Sequence, residues 1–270
     1  MARIDCDLTT LPGWSSLSDG SHNITIVAKA DGYKNSEPSA AVSVTKAPQE
    51  YTDCITFTGE SSDFTLRASF KEWDGTVEYS TDHNTWTEWD GTEISSSGQK
   101  LYLRGSGNTK FYTSAGGRFI LSALAGCSGN LNTLLQYDNP PTTLADYCYF
   151  AMFYGCKNLT QAPELPATTL ANSCYRYMFY GCTSLITVPE LPATKLATSC
   201  YEDMFNGCTS LKISATQSSE YPTAWRIPSS GTISSTSGAA RWNSSMLSGT
   251  GGTFTSNPSI NTTYYGAWTK

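Results

Sequence analysis

A block of sequence that returns every 26 residues constrains this chain more than any other feature. Cys148-Tyr149, Cys174-Tyr175 and Cys200-Tyr201 open three copies, and Cys156, Cys182 and Cys208 keep the same step. A repeat of this length cannot bury its apolar side alone, so copies must stack and share one core. Stacks of this kind present a long surface rather than a catalytic pocket, which points to binding without naming a ligand.

The first copy reads CYFAMFYGCKNLTQAPELPATTLANS and the second CYRYMFYGCTSLITVPELPATKLATS; the third opens CYEDMFNGCTSLKI and then diverges. The shared Cys, Tyr, Met-Phe, Gly-Cys and Leu positions face inward in this reading, each on its counterpart in the next coil. Leu159–Pro163 and Leu185–Pro189 read as short strands. In Cys148–Tyr154 and Cys174–Tyr180 the apolar residues (Tyr175, Met178, Phe179 in the second) follow helical spacing, which predicts short helices. Gly155, Gly181 and Gly207 would end them, and Pro163/Pro166 and Pro189/Pro192 break structure in the turn that follows. Weaker copies flank the array. Gly126-Cys127 places a looser one starting near Phe119. Met246-Leu247-Ser248-Gly249-Thr250 places another downstream, so residues 212–241 hold an insertion.

The pattern Cys-Tyr-x-x-Met-Phe-x-Gly-Cys-x-x-Leu resembles the BspA-type bacterial leucine-rich repeats, over roughly residues 119–265. The Pro-Glu-Leu-Pro-Ala-Thr stretch is longer than the commonest version and implies a wider turn. The resemblance implies a leucine-rich repeat solenoid used for adhesion or recognition, in bacterial surface proteins and in phages of gut bacteria. That family has no shared catalytic residues to carry over.

Two segments precede the repeats. Residues 1–46 include the alternating runs Ile24, Ile26, Ala28 and Ala41, Val42, Val44, with turns marked by Gly20 and Asp31-Gly32. They resemble the last strands of a fibronectin type III or immunoglobulin-like module, with Tyr33 where such modules often keep an aromatic residue. The segment is too short for a full sandwich, and its open strand edges favour self-association into a homo-oligomer. Pro48 marks a linker. Residues 51–117 read as a β capping module, with strands in ITFTGESSDFTLRASF, GTVEYSTD, NTWTEWDGTEI and QKLYLRGSGNT. Trp73-Asp74-Gly75 and Trp89-Asp90-Gly91 read as hairpin turns. The expected fold class is therefore mixed: β segments, partly immunoglobulin-like and partly β-sandwich-like, followed by a repeat solenoid of short strands and short helices.

Charged residues make up 15% of the chain, against about 25% in ordinary soluble domains, so Ser, Thr, Asn and Gly carry the polar surface. That composition suits extracellular or virion β-rich proteins. The net charge of −6 and the lack of a Lys/Arg cluster disfavour nucleic acid. No apolar run approaches the roughly 18 residues needed to cross a membrane, and the start MARIDCDLTTLPG has no signal-peptide core. Stacked in register, the two cysteine ladders (Cys148, Cys174, Cys200 and Cys156, Cys182, Cys208) read as buried thiols in preference to disulfides. They do not converge as a zinc site would. Cys6 and Cys54 have no evident role.

Trp73, Trp86 and Trp89 offer a glycan-stacking platform, although filling the core of the β module is the stronger reading. Asp82, Asp90 and Glu93 lack the order of a calcium loop, so no metal and no cofactor is expected. His22 and His83 lie far apart in sequence, and no nucleophile elbow, phosphate loop or zinc-protease motif occurs; no enzyme is expected. Glu164 and Glu190 recur at one repeat position and are expected to satisfy backbone donors in the proline turn. The informative positions are those that break the period. Phe150/Ala151 becomes Arg176/Tyr177 and then Glu202/Asp203; Tyr154 and Tyr180 become Asn206; Thr160/Gln161 becomes Ile186/Thr187 and then Lys212/Ile213. Phe150, Tyr154, Arg176, Tyr177, Tyr180, Glu202 and Asp203 are the expected outward binding positions, since Tyr and Arg give large contacts at low entropic cost. Drift on a solvated face is an equal alternative. The reading is a non-enzymatic recognition or adhesion module for a protein or glycan on a cell surface, either a surface adhesin or a virion-associated protein. The alternative is a cytosolic phage or bacterial interaction protein that sequesters or inhibits a host protein.

Overall fold

The computed structural model describes residues 20–25, 27, 37–38, 40–46, 54–71, 73–111, 118–226, 232–233, 241–260 and 262–267. Cys6, Ile26, Ala28, Asp31-Gly32, Tyr33 and Pro48 of the expectations above lie outside them. Contacts divide the chain into two units, residues 1–52 and residues 53–270. In the first, β1 (Gly20–Ile24) pairs antiparallel with β2 (Val42–Lys46), from Gly20 opposite Lys46 to Ile24 opposite Val42.

The second unit begins with the strands read from sequence: β3 (Ile55–Gly59), β4 (Thr65–Ala68), β5 (Thr76–Ser80), β6 (Thr87–Glu88), β7 (Ile94–Ser95) and β8 (Lys100–Ser106). β9 (Phe119–Leu121), β10 (Ala125–Ser128) and β11 (Leu159–Gln161) then tie this module to the repeats. One sheet runs β11-β10-β3-β8-β5-β6 and a second β7-β4-β9. Alternation in β3 and β8 buries Ile55, Phe57, Leu101 and Leu103 on one face, where Phe57 meets Phe119 of the other sheet at 6.4 Å between ring centroids. The Trp-Asp-Gly motifs are not hairpin turns. Trp89-Asp90-Gly91 carries the chain from one sheet to the other, and both Trp rings turn inward and stack at 5.2 Å.

The expected helix-containing solenoid is not what forms. Among the described residues there is no α-helix, only a single 3₁₀ turn at Leu131–Leu134, and the sheets are small and separate, none closed and none continuous along the repeats. The segments from Cys148 and Cys174 are chains of turns. Their N–H groups alternate between two kinds of acceptor. Tyr149 donates to Cys174 O (2.8 Å), Ala151 to Arg176 O (2.9 Å) and Phe153 to Met178 O (2.9 Å), each in the next copy. The intervening Phe150, Met152 and Tyr154 donate three residues back within their own copy. Every fourth residue takes a left-handed φ: Tyr147 (59°), Ala151 (55°), Gly155 (68°), then Ser173 (55°), Tyr177 (58°), Gly181 (67°). An α-helix would keep every donor internal and leave adjacent copies only side-chain contacts. These turns give half their donors to the neighbour and so bond the copies edge to edge. The inward residues Tyr149, Met152, Phe153 and Cys156 keep the i, i+3, i+4 spacing, which is why the sequence imitates a helix.

Stacking in this register lines up like side chains. Tyr149, Tyr175 and Tyr201 stack at 5.8 and 5.9 Å, and Phe153, Phe179 and Phe205 at 5.5 Å each. The β module supplies the rung before each column: Phe111 lies 6.0 Å from Tyr149, and Phe119 5.7 Å from Phe153. Their N–H groups also donate to Cys148 O and Met152 O, as a preceding copy's would. Phe111 therefore takes the Tyr149 position and Phe119 the Phe153 position of the looser copy, which begins ahead of Phe119. Cys127 does not take the Cys156 position in it, because β10 pairs parallel with β11 at Ala125 opposite Leu159. Leu185–Pro189 forms no strand, although Ile186 N still donates to Thr160 O (3.1 Å).

Downstream, residues 241–250 stack as a fourth copy: Tyr201, Phe205 and Gly207 donate to Trp242, Met246 and Ser248. Within the insertion, β12 (Lys195–Leu196) of the second copy pairs parallel with β15 (Thr232–Ile233). β13 (Ile213–Ser214) and β14 (Thr223–Arg226) flank β16 (Thr263–Gly266). Buried Trp225 and Tyr264 close the stack there, 6.1 Å apart. One apolar cluster runs from Ile55 to Tyr264.

All eight described cysteines are buried thiols outside any disulfide. Cys182 and Cys208 each donate Sγ–H at 3.0 Å to the Phe carbonyl of the preceding copy, Phe153 O and Phe179 O. Burial pushes the thiol of Cys156 up to about 11 and those of Cys200 and Cys208 up to about 12, from an ordinary 9.0. Their contribution to stability is thus complete below pH 9 and lost as pH rises toward the raised values, because only the unfolded chain releases these protons. The urea midpoint should hold from pH 7 to about 8.5 and fall from pH 9 to 11. The unfolding free energy behind it should fall by about 1.4 kcal/mol per pH unit for each thiol that ionises only on unfolding. A flat midpoint across that range would show the thiols to be accessible to water in the folded chain.

Candidate functional site

Three of the positions that break the repeat form columns along the stack, because equivalent residues of successive copies lie side by side. Phe150, Arg176, Glu202 and Ser244 form one column; Ala151, Tyr177, Asp203 and Ser245 a second; Tyr154, Tyr180, Asn206 and Ser248 a third. Along the axis these columns change from aromatic through cationic and acidic to serine. Their aromatic half encloses an open pocket of about 450 Å³ lined by Arg118, Phe150, Tyr154, Tyr177, Tyr180 and Asp203, among others.

Tyr154 and Tyr180 stack in parallel at 4.8 Å, while Tyr177 stands edge-on to both and to Phe150, at 73°, 76° and 87°. The left-handed φ of Tyr177 is what turns its ring across the stack. Two guanidinium groups rest on these rings. Arg118 lies 4.2 Å from the Tyr154 centroid and Arg176 4.7 Å from that of Tyr177, whose hydroxyl accepts a 3.0 Å hydrogen bond from Arg176 Nη2. Cation–π contacts of this kind contribute about 0.5–2 kcal/mol and hold the cations in place. At the far end Asp203 Oδ1 accepts from Asn206 Nδ2 (2.8 Å).

Glu202 is a correction: the expected outward residue is 1% exposed. It is the hub of an ion triad. Arg176 Nε lies 3.2 Å from its Oε2 and Arg241 donates to its Oε1. The Arg176 contact is electrostatic without hydrogen-bond geometry. Opposite charges at one repeat position in adjacent copies, Arg176 and Glu202, were the signal for this pairing. Arg176→Ala is consequently no clean probe of binding, since it strips a partner from a buried carboxylate. Thr160 and Ile213 are also buried, whereas Gln161, Ile186 and Lys212 are exposed.

The tryptophan platform does not assemble. Trp73 (6% exposed) and Trp89 (1%) fill the core, and only Trp86 reaches the surface. There Arg104 sits between Trp86 (4.2 Å) and Tyr137 (4.5 Å) and pairs with Glu78 at 2.7 Å. The three acids have separate partners: Asp82 and Asp90 close their own turns, and Glu93 reaches across to β4. Asp82 binds the N–H groups of Thr85 and Asn84 and the Ser80 hydroxyl, which hold its carboxyl far below the usual range. Asp90 binds Thr92, and Glu93 binds Thr65. Among the described residues no three His, Cys, Asp or Glu side chains converge for a metal ion. His83 does meet Cys54, with Nε2 3.3 Å from Sγ, a pairing that a separation of 29 residues hides in the sequence. Cys54 is 2% exposed.

A larger groove of about 660 Å³ runs along the proline turns, between Pro163, Pro166, Pro189 and Pro192, with Trp225 at its side. Glu164 and Glu190 are exposed on it. Among the described residues the Glu164 carboxylate makes no hydrogen bond to the turn; its backbone N–H and C=O do, with Gly129 O and Leu131 N. The groove combines recurring Pro, Glu and Leu positions with the variable Gln161/Thr187 and with Trp225 of the insertion, whereas the aromatic pocket gathers Phe150, Tyr177 and Asp203 from positions where the copies differ, together with the Tyr154/Tyr180 pair that becomes Asn206 in the third copy. For a binding site the second pattern is the more telling. Arg118 is the pocket residue that sequence reading missed. It lies outside the repeats, and only β9 brings it onto Tyr154. No family model, curated protein or solved structure matches this chain.

Proposed function

We propose that this chain is a non-enzymatic recognition module, an adhesin or virion-associated protein acting at a cell surface, with the aromatic pocket as its binding face. The observation that carries the reading is that Phe150, Tyr154, Tyr177 and Tyr180 gather at one pocket from positions where otherwise matching copies differ. Keeping aromatic rings half-exposed costs solubility, and four together with two Arg residues match the composition of binding hot spots. The low-charge Ser/Thr surface supports an extracellular setting.

The test is binding of the fluorescently labelled full chain to a panel of intact bacterial cells. Tyr177→Asn keeps a residue that tolerates the left-handed backbone, and Tyr180→Ser removes a half-exposed ring. Each should weaken binding by about thirtyfold, as loss of a hot-spot side chain does. Glu164→Gln, in the proline groove, should bind as the parent does. Unchanged binding in both tyrosine variants, with unaltered thermal unfolding, would sink the reading.

A further inference from the structure

We infer that the aromatic pocket takes an extended, acidic segment of a protein partner, with a carboxylate on Arg118 at one end and amide groups on Asp203 and Asn206 at the other. This rests on the recognition reading above and names the ligand class for that site.

The ring geometry disfavours a sugar. A pyranose stacks on an open aromatic face, and at the Arg118 end both faces of Tyr154 and one of Tyr177 are taken. Tyr180 covers one face of Tyr154. Phe119 forms the rung ahead of Phe153, so Arg118 reaches Tyr154 from the side opposite Tyr180. Arg176 covers Tyr177. At that end a ligand meets ring edges, hydroxyls and a guanidinium, which suit a peptide's carbonyls, apolar side chains and carboxylates.

Charge sets the direction. Arg118 is exposed, and among the described residues no carboxylate lies within ion-pair reach of it. Its guanidinium rests over Tyr154, 4.2 Å from the ring centroid, and a planar fork with open donors matches a carboxylate in bidentate fashion. Arg176, by contrast, is engaged by Glu202. The other end of the pocket carries the acceptor Asp203 and the amide of Asn206. Three steps of stacking separate Arg118 from Asp203, about 14 Å at the usual 4.7–4.9 Å per step. An extended chain covers that in about four residues at 3.3–3.4 Å each, so the segment is short and its acid lies at the Arg118 end.

The experiment pans a displayed library of random linear heptapeptides against the full chain, with an immobilised glycan array in parallel. Retained peptides should carry Asp or Glu beside an apolar or aromatic residue and should bind more weakly at higher salt. Arg118→Gln should weaken the best peptide about tenfold, the usual worth of a charged hydrogen-bonded pair, and Arg118→Lys should recover part of that. A double-mutant cycle between Arg118→Gln and the peptide's Asp→Asn (or Glu→Gln) change should show coupling of the same size. Coupling below about twofold, or enrichment of basic or neutral peptides, overturns the inference. Pocket-dependent binding to glycans without peptide binding also overturns it, while leaving the recognition reading standing. If peptides, glycans and cells all fail to bind, the recognition reading itself falls.

Discussion

Tyr175→Ala should destabilise the chain by about 3–5 kcal/mol, the usual cost of emptying a large buried aromatic site. Tyr175→Phe should instead leave stability unchanged or raise it by about 1–2 kcal/mol. Tyr175 is the middle rung of its column, 1% exposed and stacked on both Tyr149 and Tyr201. Its hydroxyl has no hydrogen-bond partner, and an unsatisfied buried donor costs about 1–3 kcal/mol. Tyr149 is the control. Its hydroxyl reaches Leu131 O (3.2 Å) and Asn132 Oδ1 (3.1 Å), so Tyr149→Phe should lose about 1 kcal/mol. Urea unfolding of the three variants checks this. If both Phe variants lose stability equally, the column does not stack in this register.

Gly105→Ala should prevent the β module from seating on the repeats, at a cost of about 3 kcal/mol or more. Gly105 lies in β8, and a Cβ there would come 1.8 Å from Leu134 O and 2.6 Å from Leu134 C. Both atoms are backbone of the last residue of the 3₁₀ segment, where the following turn begins, so no rotamer change relieves the clash. The same glycine accepts from Tyr137 N (2.9 Å), which pins that turn to the strand. Gly98→Ala is the contrast. Its Cβ would meet nothing within 4 Å, and its φ of 56° is accessible to alanine with strain, so it should cost only about 1–2 kcal/mol. Thermal unfolding with intrinsic Trp fluorescence reads both variants. A Gly105→Ala protein as stable as the parent would mean that β8 and the turn do not touch.

These two glycines show where local reading ends. Both sit in strand-and-turn sequence that was legible, and β3, β4, β5 and β8 fall within the runs expected for them. Nothing local separates Gly105, where a distant backbone passes, from Gly98, where none does. The helix expectation fails for a related reason. Tyr175, Met178 and Phe179 have helical spacing, and spacing reports only which residues face inward. Whether N–H donors turn back within the segment or cross to the next copy depends on having a copy alongside to accept them.

The candidate site divides in the same way. Tyr154, Tyr177 and Tyr180 were visible as departures from an otherwise strict period. Glu202 was visible too, but its burial was not, because that depends on two Arg residues from other copies meeting over it. Arg118 had no signal at all. It joins the pocket through the pairing of β9 with β4, which is settled by Leu66 opposite Leu121 more than fifty residues apart in the chain.

The sequence by itself determined the 26-residue period, the inward columns of Tyr, Phe and Cys, and the positions where copies differ, because each is a relation among residues at fixed spacing. The tertiary structure alone decided that the copies join through alternate backbone hydrogen bonds without helices, that Phe111 and Phe119 of the preceding module complete the aromatic columns, and that Arg118 closes the pocket. The physical reason is that a backbone donor or an exposed guanidinium takes whichever partner the packed fold brings within reach.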